Sequence, residues 1–397
     1  MSIEPISEAV VLAGGLGTRL TPLTKYRPKS LIPICNYTML DWNFFVLESN
    51  GIKRAVVVVN YLGDQIRDHI KEISSKMHPD LEIVVLKVNS NGTADALRVV
   101  SDHVESNNFF VTMSDIVTNI NLKQMGKFHI KKEGIATISL KPLIKYSNQF
   151  GVILEDENDQ ILRFLEKPSP EELYLTKMIV QRTQSFNYET NLINSGMYCF
   201  KKDILDILDE KANLLDFGKN VFPFLLKNHL KIYGFKGDND YYWQDCGRPD
   251  QLLWANIDVL KKGNLPYCPR GYEENGSWFA DYYQNFENII IQKPVAIGNN
   301  VKIEYLTTIY LSSINDNTII GKNCNISKSL IWENVIIGDN VSIKNSIISD
   351  NVTIGDNCTI IDETIIPPGF KIPPNSIIKH GVLISQVPAE DFIEYAI

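Results

Sequence analysis

The sequence has no apolar run near the roughly 20 residues that a membrane-spanning helix needs. Its longest runs, such as Ala55 to Val59 and Ile289 to Ile291, span a few residues each. A helical membrane protein is therefore not expected. No block of five like charges occurs, and 39 Lys and Arg against 47 Asp and Glu give a formal charge of −8. That argues against a nucleic-acid or anionic-membrane partner, although a local basic pocket can still hold a phosphate. Cysteine is sparse. Cys35, Cys199, Cys246, Cys268, Cys324 and Cys358 form no C-x-x-C pair. Buried thiols in a reducing compartment fit this pattern better than a disulfide framework or a zinc site. The six histidines are scattered without metal-ligand spacing, which leaves zinc and haem chemistry unsupported. Met1 to Glu8 lacks the basic start of a secretory signal, so the expected location is the cytoplasm. What remains is an ordinary globular composition, 44% hydrophobic and 22% charged over 397 residues. That length suits two or three domains.

The chain carries two textures. Up to about residue 260, strand and helix patterns alternate. Glu8 to Ala13 is an apolar run ending in Gly-Gly, a buried strand before a tight turn. Leu40 to Asn50 has helical spacing and stops at Gly51. Ala55–Val59, Leu81–Val88 and Asn108–Met113 read as strands, with helices over Asp64–Ile73 and from Thr93. This alternation predicts an α/β fold of the Rossmann-like kind, a mixed and mostly parallel sheet that binds ligands beyond the carboxyl ends of its strands. From about Phe286 a phrase recurs: Ile297-Gly-Asn-Asn300, Ile320-Gly-Lys-Asn323, Ile337-Gly-Asp-Asn340, Ile354-Gly-Asp-Asn357 and Ile372-Pro-Pro-Asn375. The spacings are 23, 17, 17 and 18, with Ile or Val about every six positions. That predicts a hexapeptide β-helix, its apolar residues pointing inward and its Gly and Asn at corners with positive φ. The spacing of 23 predicts an inserted loop near Tyr305 to Ser313. The expected division is residues 1–262, a Gly- and Pro-rich linker over 263–285, and residues 286–397.

Chemistry is expected in the segments after the strands. Leu12-Ala-Gly-Gly-Leu-Gly-Thr-Arg-Leu20 follows the first strand, and its three glycines let backbone N–H groups approach phosphate oxygens. Arg19 adds a donor fork. The segment is neither a Walker loop nor a complete Rossmann fingerprint, so a plain tight turn competes evenly. Arg27-Pro-Lys29 then sets a second cation, Lys29, behind a rigid proline. Arg19 and Lys29 together suggest a polyphosphate; a solvated basic turn is the alternative. Asp115 at the end of a strand and Asp245 in Trp243-Gln-Asp245 suit Mg²⁺, which usually takes one or two protein carboxylates. Each alone also reads as a cap or turn residue. Lys167 can anchor a sugar phosphate while Glu166 accepts from hydroxyls, or the two form an ordinary surface pair.

Gly14-Gly-x-Gly-Thr-Arg-Leu-x-Pro-Leu-Thr24 with Arg27-Pro-Lys29 closely resembles the signature of the sugar-1-phosphate nucleotidylyltransferases. Asn91-Gly-Thr-Ala94, Val111-Thr-Met-Ser-Asp115, Phe150-Gly151, Phe164-Leu-Glu-Lys-Pro168, Asn194-Ser-Gly-Met-Tyr198 and Trp243-Gln-Asp-Cys-Gly-Arg-Pro-Asp250 resemble further family segments in the same order. The resemblance covers nearly the whole chain and implies a left-handed β-helix at the C-terminus. It implies transfer of a nucleotidyl group from a nucleoside triphosphate to a sugar 1-phosphate, with release of pyrophosphate. Leu12, Ala13, Gly14, Gly15, Gly17, Thr18, Gly92 and Thr93 would hold the nucleotide. Arg19 and Lys29 would serve the departing pyrophosphate. Gly151, Glu166, Lys167, Asn194 and Gly196 would hold the sugar phosphate, and Asp115 and Asp245 would bind Mg²⁺.

The form Gly92-Thr93-Ala94 resembles guanosine- and adenosine-diphosphate-sugar enzymes, and Asn60-Tyr61-Leu62 resembles mannose-1-phosphate guanylyltransferases. The expected pair is GTP and mannose 1-phosphate. Glucose-1-phosphate adenylyl-, uridylyl- and thymidylyltransferases are the alternatives. Ser114 departs from the Gly or Asn usual in the family, and the long stretch Glu171 to Asn191 reads as a lid or an oligomer contact. Two other classes compete: a regulatory subunit resembling the γ and ε subunits of translation initiation factor 2B, and a bifunctional enzyme with acetyltransferase activity in the β-helix. The retained Arg19, Lys29, Asp115, Lys167 and Asp245 weigh against the first. The second wants a histidine base, and Ile297 to Ile378 contains none. Open β-helix ends make a homo-oligomer the expected assembly.

Overall fold

The computed structural model describes residues 4–142, 150–172, 174, 192–238, 241–261, 265, 268–281 and 289–381. Residues 173 and 175–191 of the expected lid, and part of the linker, lie outside that set. Contacts group the chain into two compact units that interleave in sequence: residues 1–15 with 43–243, and residues 16–42 with 244–397.

The first unit is built on one nine-stranded sheet. Strand β1 (Glu8–Leu12) is buried at every position, and its β-branched residues suit a strand covered on both faces. It pairs in parallel with β2 (Arg54–Val59), and β2 pairs in parallel with β3 (Glu82–Lys87). On its other side β1 pairs in parallel with β4 (Asn108–Met113). Beyond β4 the sheet changes character. The ten-residue β8 (Leu192–Lys201) runs antiparallel to β4, to β5 (Ala136–Pro142) and to β6 (Val152–Glu155). A hairpin joins β6 to β7 (Ile161–Leu165), and β9 (Ile232–Phe235) lies parallel to β5. The sheet is thus mixed, with β1 to β4 as its parallel half. The helix α1 (Met39–Ser49) stops at Gly51, whose φ of +83° makes it the left-handed residue that ends the turn. In α2 (Gly63–Met77) the buried residues Ile66, Ile70 and Ile73 recur at helical spacing. Helix α3 (Thr93–Val99) begins at the expected Thr93.

The second unit is dominated by a β-helix of three parallel sheets. Ile297, Ile314, Ile331, Ile348 and Ile366 stack in register on one side. Ile303, Ile320, Ile337, Ile354 and Ile372 stack on the next, and Ile309, Ile326, Ile343, Ile360 and Ile378 on the third. All but the half-buried Ile303 are buried and form a single core. Two expectations need correction. No loop is inserted near Tyr305 to Ser313: Ile297 pairs with Ile314, while Ile320 belongs to the following side. The spacing of 23 is one coil plus one side, and the repeat at Ile314-Asn-Asp-Asn317 was hidden because Asn315 replaces its glycine. The phrase glycines are not the positive-φ corners either. Those are mostly asparagines, among them Asn300, Asn317, Asn340 and Asn357. A Cβ on Gly298 would stand 2.8 Å from the backbone N of Asp316, so glycine serves close stacking of coils. Among the described residues, no helix is long and apolar enough to cross a membrane.

Candidate active site

The candidate residues fall into one group in each unit. In the first unit, β1 ends at the buried Leu12 and Ala13, and Ala13 N–H donates to the Val58 carbonyl at 2.8 Å. Gly14 leaves only 3.2 Å between a would-be Cβ and Cβ of Asn60, whereas Gly15 faces open space. Next to this turn, Ser114 N–H donates to the Leu12 carbonyl at 3.1 Å. Asn43 holds the Asp115 turn: its Nδ2 donates to the carbonyls of Ser114 (3.3 Å) and Ile116 (3.2 Å). Its Oδ1 accepts from Thr112 Oγ1 at 3.2 Å. Asn43 carried no signal in sequence, because it sits inside a helix far from Asp115.

The Gly92-Thr93 segment is fastened to residues 215–217. The Leu215 carbonyl accepts from the N–H groups of Ala94 (2.9 Å) and Asp95 (3.1 Å). Thr93 Oγ1 donates to Asp216 Oδ2 at 3.3 Å and accepts from Phe217 N–H at 3.1 Å. A side chain on Gly92 would collide with the Leu215 carbonyl. Asp216 then opens a π-helical turn over Phe217–Val221, a local geometry frequent at functional sites.

The sugar-phosphate candidates converge around that same turn. Asn194 N–H donates to the Gly151 carbonyl at 2.9 Å, and Asn194 Oδ1 accepts from Gly196 N–H at 3.0 Å. Gly196 has φ +78°, where the register between β8 and β5 shifts. Asn194 Nδ2 donates to Tyr198 Oη at 3.0 Å. The Glu166 carboxylate lies in a space left by Gly151 and Gly218. Burial raises its pKa above the ordinary carboxylate range, with Lys167 pulling the other way. Lys167 reaches within 3.7 Å of Glu166 and is more than half exposed. Its φ of +46° just before Pro168 is rare for lysine and marks a constrained turn. Burial also pushes the Tyr198 phenol upward, and the negative charges of Glu166, Asp216 and Asp115 add to that shift. Asp216 and Gly218 were not singled out from sequence; the run Leu214-Leu-Asp-Phe-Gly218 carries no phosphate or metal spacing. Trp243 Nε1 donates to the Ser195 carbonyl at 2.8 Å and meets the Phe150 ring edge-on at 5.3 Å.

In the second unit, Gly17 (φ +64°) caps the short 3₁₀ turn Thr18–Leu20 that carries Arg19. A Cβ there would stand 2.8 Å from Thr24 Cγ2 and 3.1 Å from Lys29 Cβ, so the glycine loop and Lys29 are packed together. Thr24 Oγ1 donates to the Gly17 carbonyl at 2.9 Å. Lys29 itself begins the next 3₁₀ turn, Lys29–Leu31. Arg19 and Asp245 converge on Gly247: their Nη2 and Oδ1 atoms lie 2.5 and 2.7 Å from where its Cβ would be. Among the described residues there is no group of three or more His, Cys, Asp or Glu that could hold a metal unaided. The Asp245 carboxylate beside the Arg19 guanidinium at Gly247 is a donor that suits a hard cation taking most of its oxygens from phosphates and water.

A family profile of nucleotidyl transferases matches residues 8–262. The chain belongs to the nucleotidyl transferase family. It is a nucleotidyltransferase enzyme, of a family that generally uses a divalent metal. The profile for the EIF2B subunit epsilon left-handed β-helix domain matches residues 280–385. Among curated relatives, a UTP–glucose-1-phosphate uridylyltransferase of Synechocystis is 26% identical over 309 residues, 75% of each chain. The mannose-1-phosphate guanylyltransferase catalytic subunit beta of Drosophila melanogaster is 28% identical over 274 residues, 68% of this chain and 67% of its own. A glucose-1-phosphate adenylyltransferase 2 of Vibrio vulnificus is 28% identical over 278 residues, 64% of this chain and 66% of its own.

Proposed function

We propose that this nucleotidyltransferase joins GTP to mannose 1-phosphate, giving GDP-mannose and pyrophosphate. The observation that carries a two-substrate site is that Thr93 is hydrogen-bonded to Asp216 at the start of the turn whose Gly218 leaves room for the Glu166 carboxylate, so both motifs meet one turn. The Thr93 form of the nucleotide segment and the Drosophila relative support guanosine and mannose. The sugar phosphate is already an anion near neutral pH, so the reaction needs no general base. Its barrier is repulsion between anions and the charge that develops on pyrophosphate, and catalysis is positioning plus electrostatic stabilisation. Gly14, Gly15 and Gly17 let backbone N–H groups approach the triphosphate, with Leu12, Ala13, Thr18 and Gly92 shaping the same segment. Arg19 and Lys29 hold the leaving pyrophosphate. Lys167 fixes the attacking phosphate, while Glu166 accepts from sugar hydroxyls and Gly151, Asn194 and Gly196 shape the turn around them. Asp115 and Asp245 are assigned to Mg²⁺, which when bound neutralises phosphate charge. The enzyme acts in the cytoplasm as a homo-oligomer.

The test is pyrophosphate release with Mg²⁺ over a grid of nucleoside triphosphates and sugar 1-phosphates. Turnover is expected with GTP and mannose 1-phosphate. Turnover confined to UTP or ATP with glucose 1-phosphate would replace that pair. Silence across the grid from folded protein would favour the regulatory-subunit reading, which the EIF2B subunit epsilon match keeps open.

A further inference from the structure

Arg27 sits two residues before Lys29 in the signature, where sequence alone allows a solvated basic turn. The fold gives it another use. Its Nη1 donates to the Leu31 carbonyl at 3.3 Å, closing over the 3₁₀ turn that Lys29 begins. Its Nη2 donates to Asp350 Oδ1 at 3.1 Å, and the Trp332 ring lies 5.4 Å from the guanidinium carbon. Asp350 and Trp332 belong to the β-helix. Asp350 is itself fixed there, since Oδ1 also accepts from Glu333 N–H at 3.2 Å. The more exposed Glu333 carboxylate is 3.5 Å from Arg27. The guanidinium is four-fifths buried and Asp350 still more so, so this is a partly desolvated charge pair whose geometry matters. A second tie follows later in the same segment: Asn256 Oδ1 accepts both Cys35 N–H (3.1 Å) and Ser313 Oγ (2.6 Å), the latter from a β-helix strand.

We propose that Arg27 and Asp350 are positioning residues through which the β-helix fixes the conformation of the phosphate-binding segment that carries Lys29. A planar fork spans two acceptors, Leu31 on the turn and Asp350 on a rigid coil, so the turn takes its place from the coil. The dependence on catalysis rests on the function proposed above; the clamp itself does not.

The test compares full-length wild type with Asp350→Asn, Arg27→Met and Glu333→Gln. Amide hydrogen exchange over residues 21–32 reads the clamp directly. It should quicken at least tenfold in Asp350→Asn and Arg27→Met and stay unchanged in Glu333→Gln. In the same variants kcat should fall ten- to a hundredfold with little change in KM for the sugar phosphate, although Asp350 touches no substrate. The double variant Arg27→Met/Asp350→Asn should lose no more than the worse single one, because both remove one link. Unchanged exchange in Asp350→Asn overturns the clamp, whatever the activity. Quickened exchange with unchanged kcat overturns the positioning role. Silence of the wild type over the substrate grid is a failure of the proposed function instead, and the exchange comparison then decides the clamp by itself.

Discussion

Burial raises the Glu166 carboxyl against the pull of Lys167, so this side chain gives up its charge at a higher pH than an ordinary glutamate. Its folded pKa lies above its unfolded value. The stability it lends is present at low pH and is lost as pH rises through the folded value. In the role proposed for Glu166, function runs the other way, since only the ionised form would accept from sugar hydroxyls with both oxygens. The expected result is a kcat/KM for the sugar phosphate that declines on acidification earlier than an ordinary carboxylate would produce. Glu166→Gln should remove that limb and raise KM about tenfold, roughly a 1.4 kcal/mol effect, while melting no lower than wild type at pH 7.5. Under the proposed mechanism Lys29→Ala removes a donor to a developing charge and should cost on the order of 10² to 10³ in kcat with the melting temperature kept; steady-state pyrophosphate release measures it. His129 behaves oppositely to Glu166. It is buried against Thr137 Oγ1 at 2.8 Å, and burial lowers it from the ordinary 6.5 to about 4. The unfolded chain therefore binds the extra proton first. Its contribution to stability is complete above pH 6.5 and is lost as pH falls towards 4, on the order of 3 kcal/mol. Urea titrations at pH 5 and 7.5 should show that loss in wild type and a smaller one in His129→Gln.

At the scale of elements, the β-helix relies on a corner ladder. Asn340 Nδ2 donates to Asn357 Oδ1 at 3.0 Å, and Asn340 Oδ1 accepts from Asn323 at 2.8 Å. Asn340 is also left-handed, at φ +59°. Asn340→Ala loses both bonds and leaves a residue without the polar side chain that eases asparagine into the left-handed region, where an ordinary residue pays about 1–2 kcal/mol. Asn340→Gly keeps the conformation and should lose less, as urea unfolding would show. The six-residue apolar beat and the Asn corners were readable because each coil repeats the same steric demand. The coil beginning at Ile314 was not, since one substitution at Asn315 removed the phrase while the register persisted. In the sheet, the parallel strands β1 to β4 were readable from continuous β-branched runs. The antiparallel run of β8 was not, because pairing direction depends on where the chain returns and not on any local pattern.

For the whole molecule, no disulfide joins any of the six cysteines, and Cys268 alone among them is exposed. Titration of the native protein with a thiol reagent should therefore give one fast thiol and five slow ones that react only on unfolding. Reductant should leave the melting temperature unchanged. The grouping of residues 16–42 with 244–397 also belongs to this scale. It places Arg19 with Asp245 and Arg27 with Asp350, pairs separated by hundreds of positions.

The sequence by itself determined the class of fold, the β-helix period, the family and most candidate residues. Those rest on short-range demands: β-branched burial, a glycine where backbone must come close, a corner that tolerates asparagine. Only the tertiary structure decided that Asn43 holds the Asp115 turn, that Asp216 holds Thr93, and that Arg27 faces Asp350. Each is a polar contact between segments far apart in the chain. Its partner is chosen by how strands and coils bring the backbone together, so no spacing in the sequence announces it.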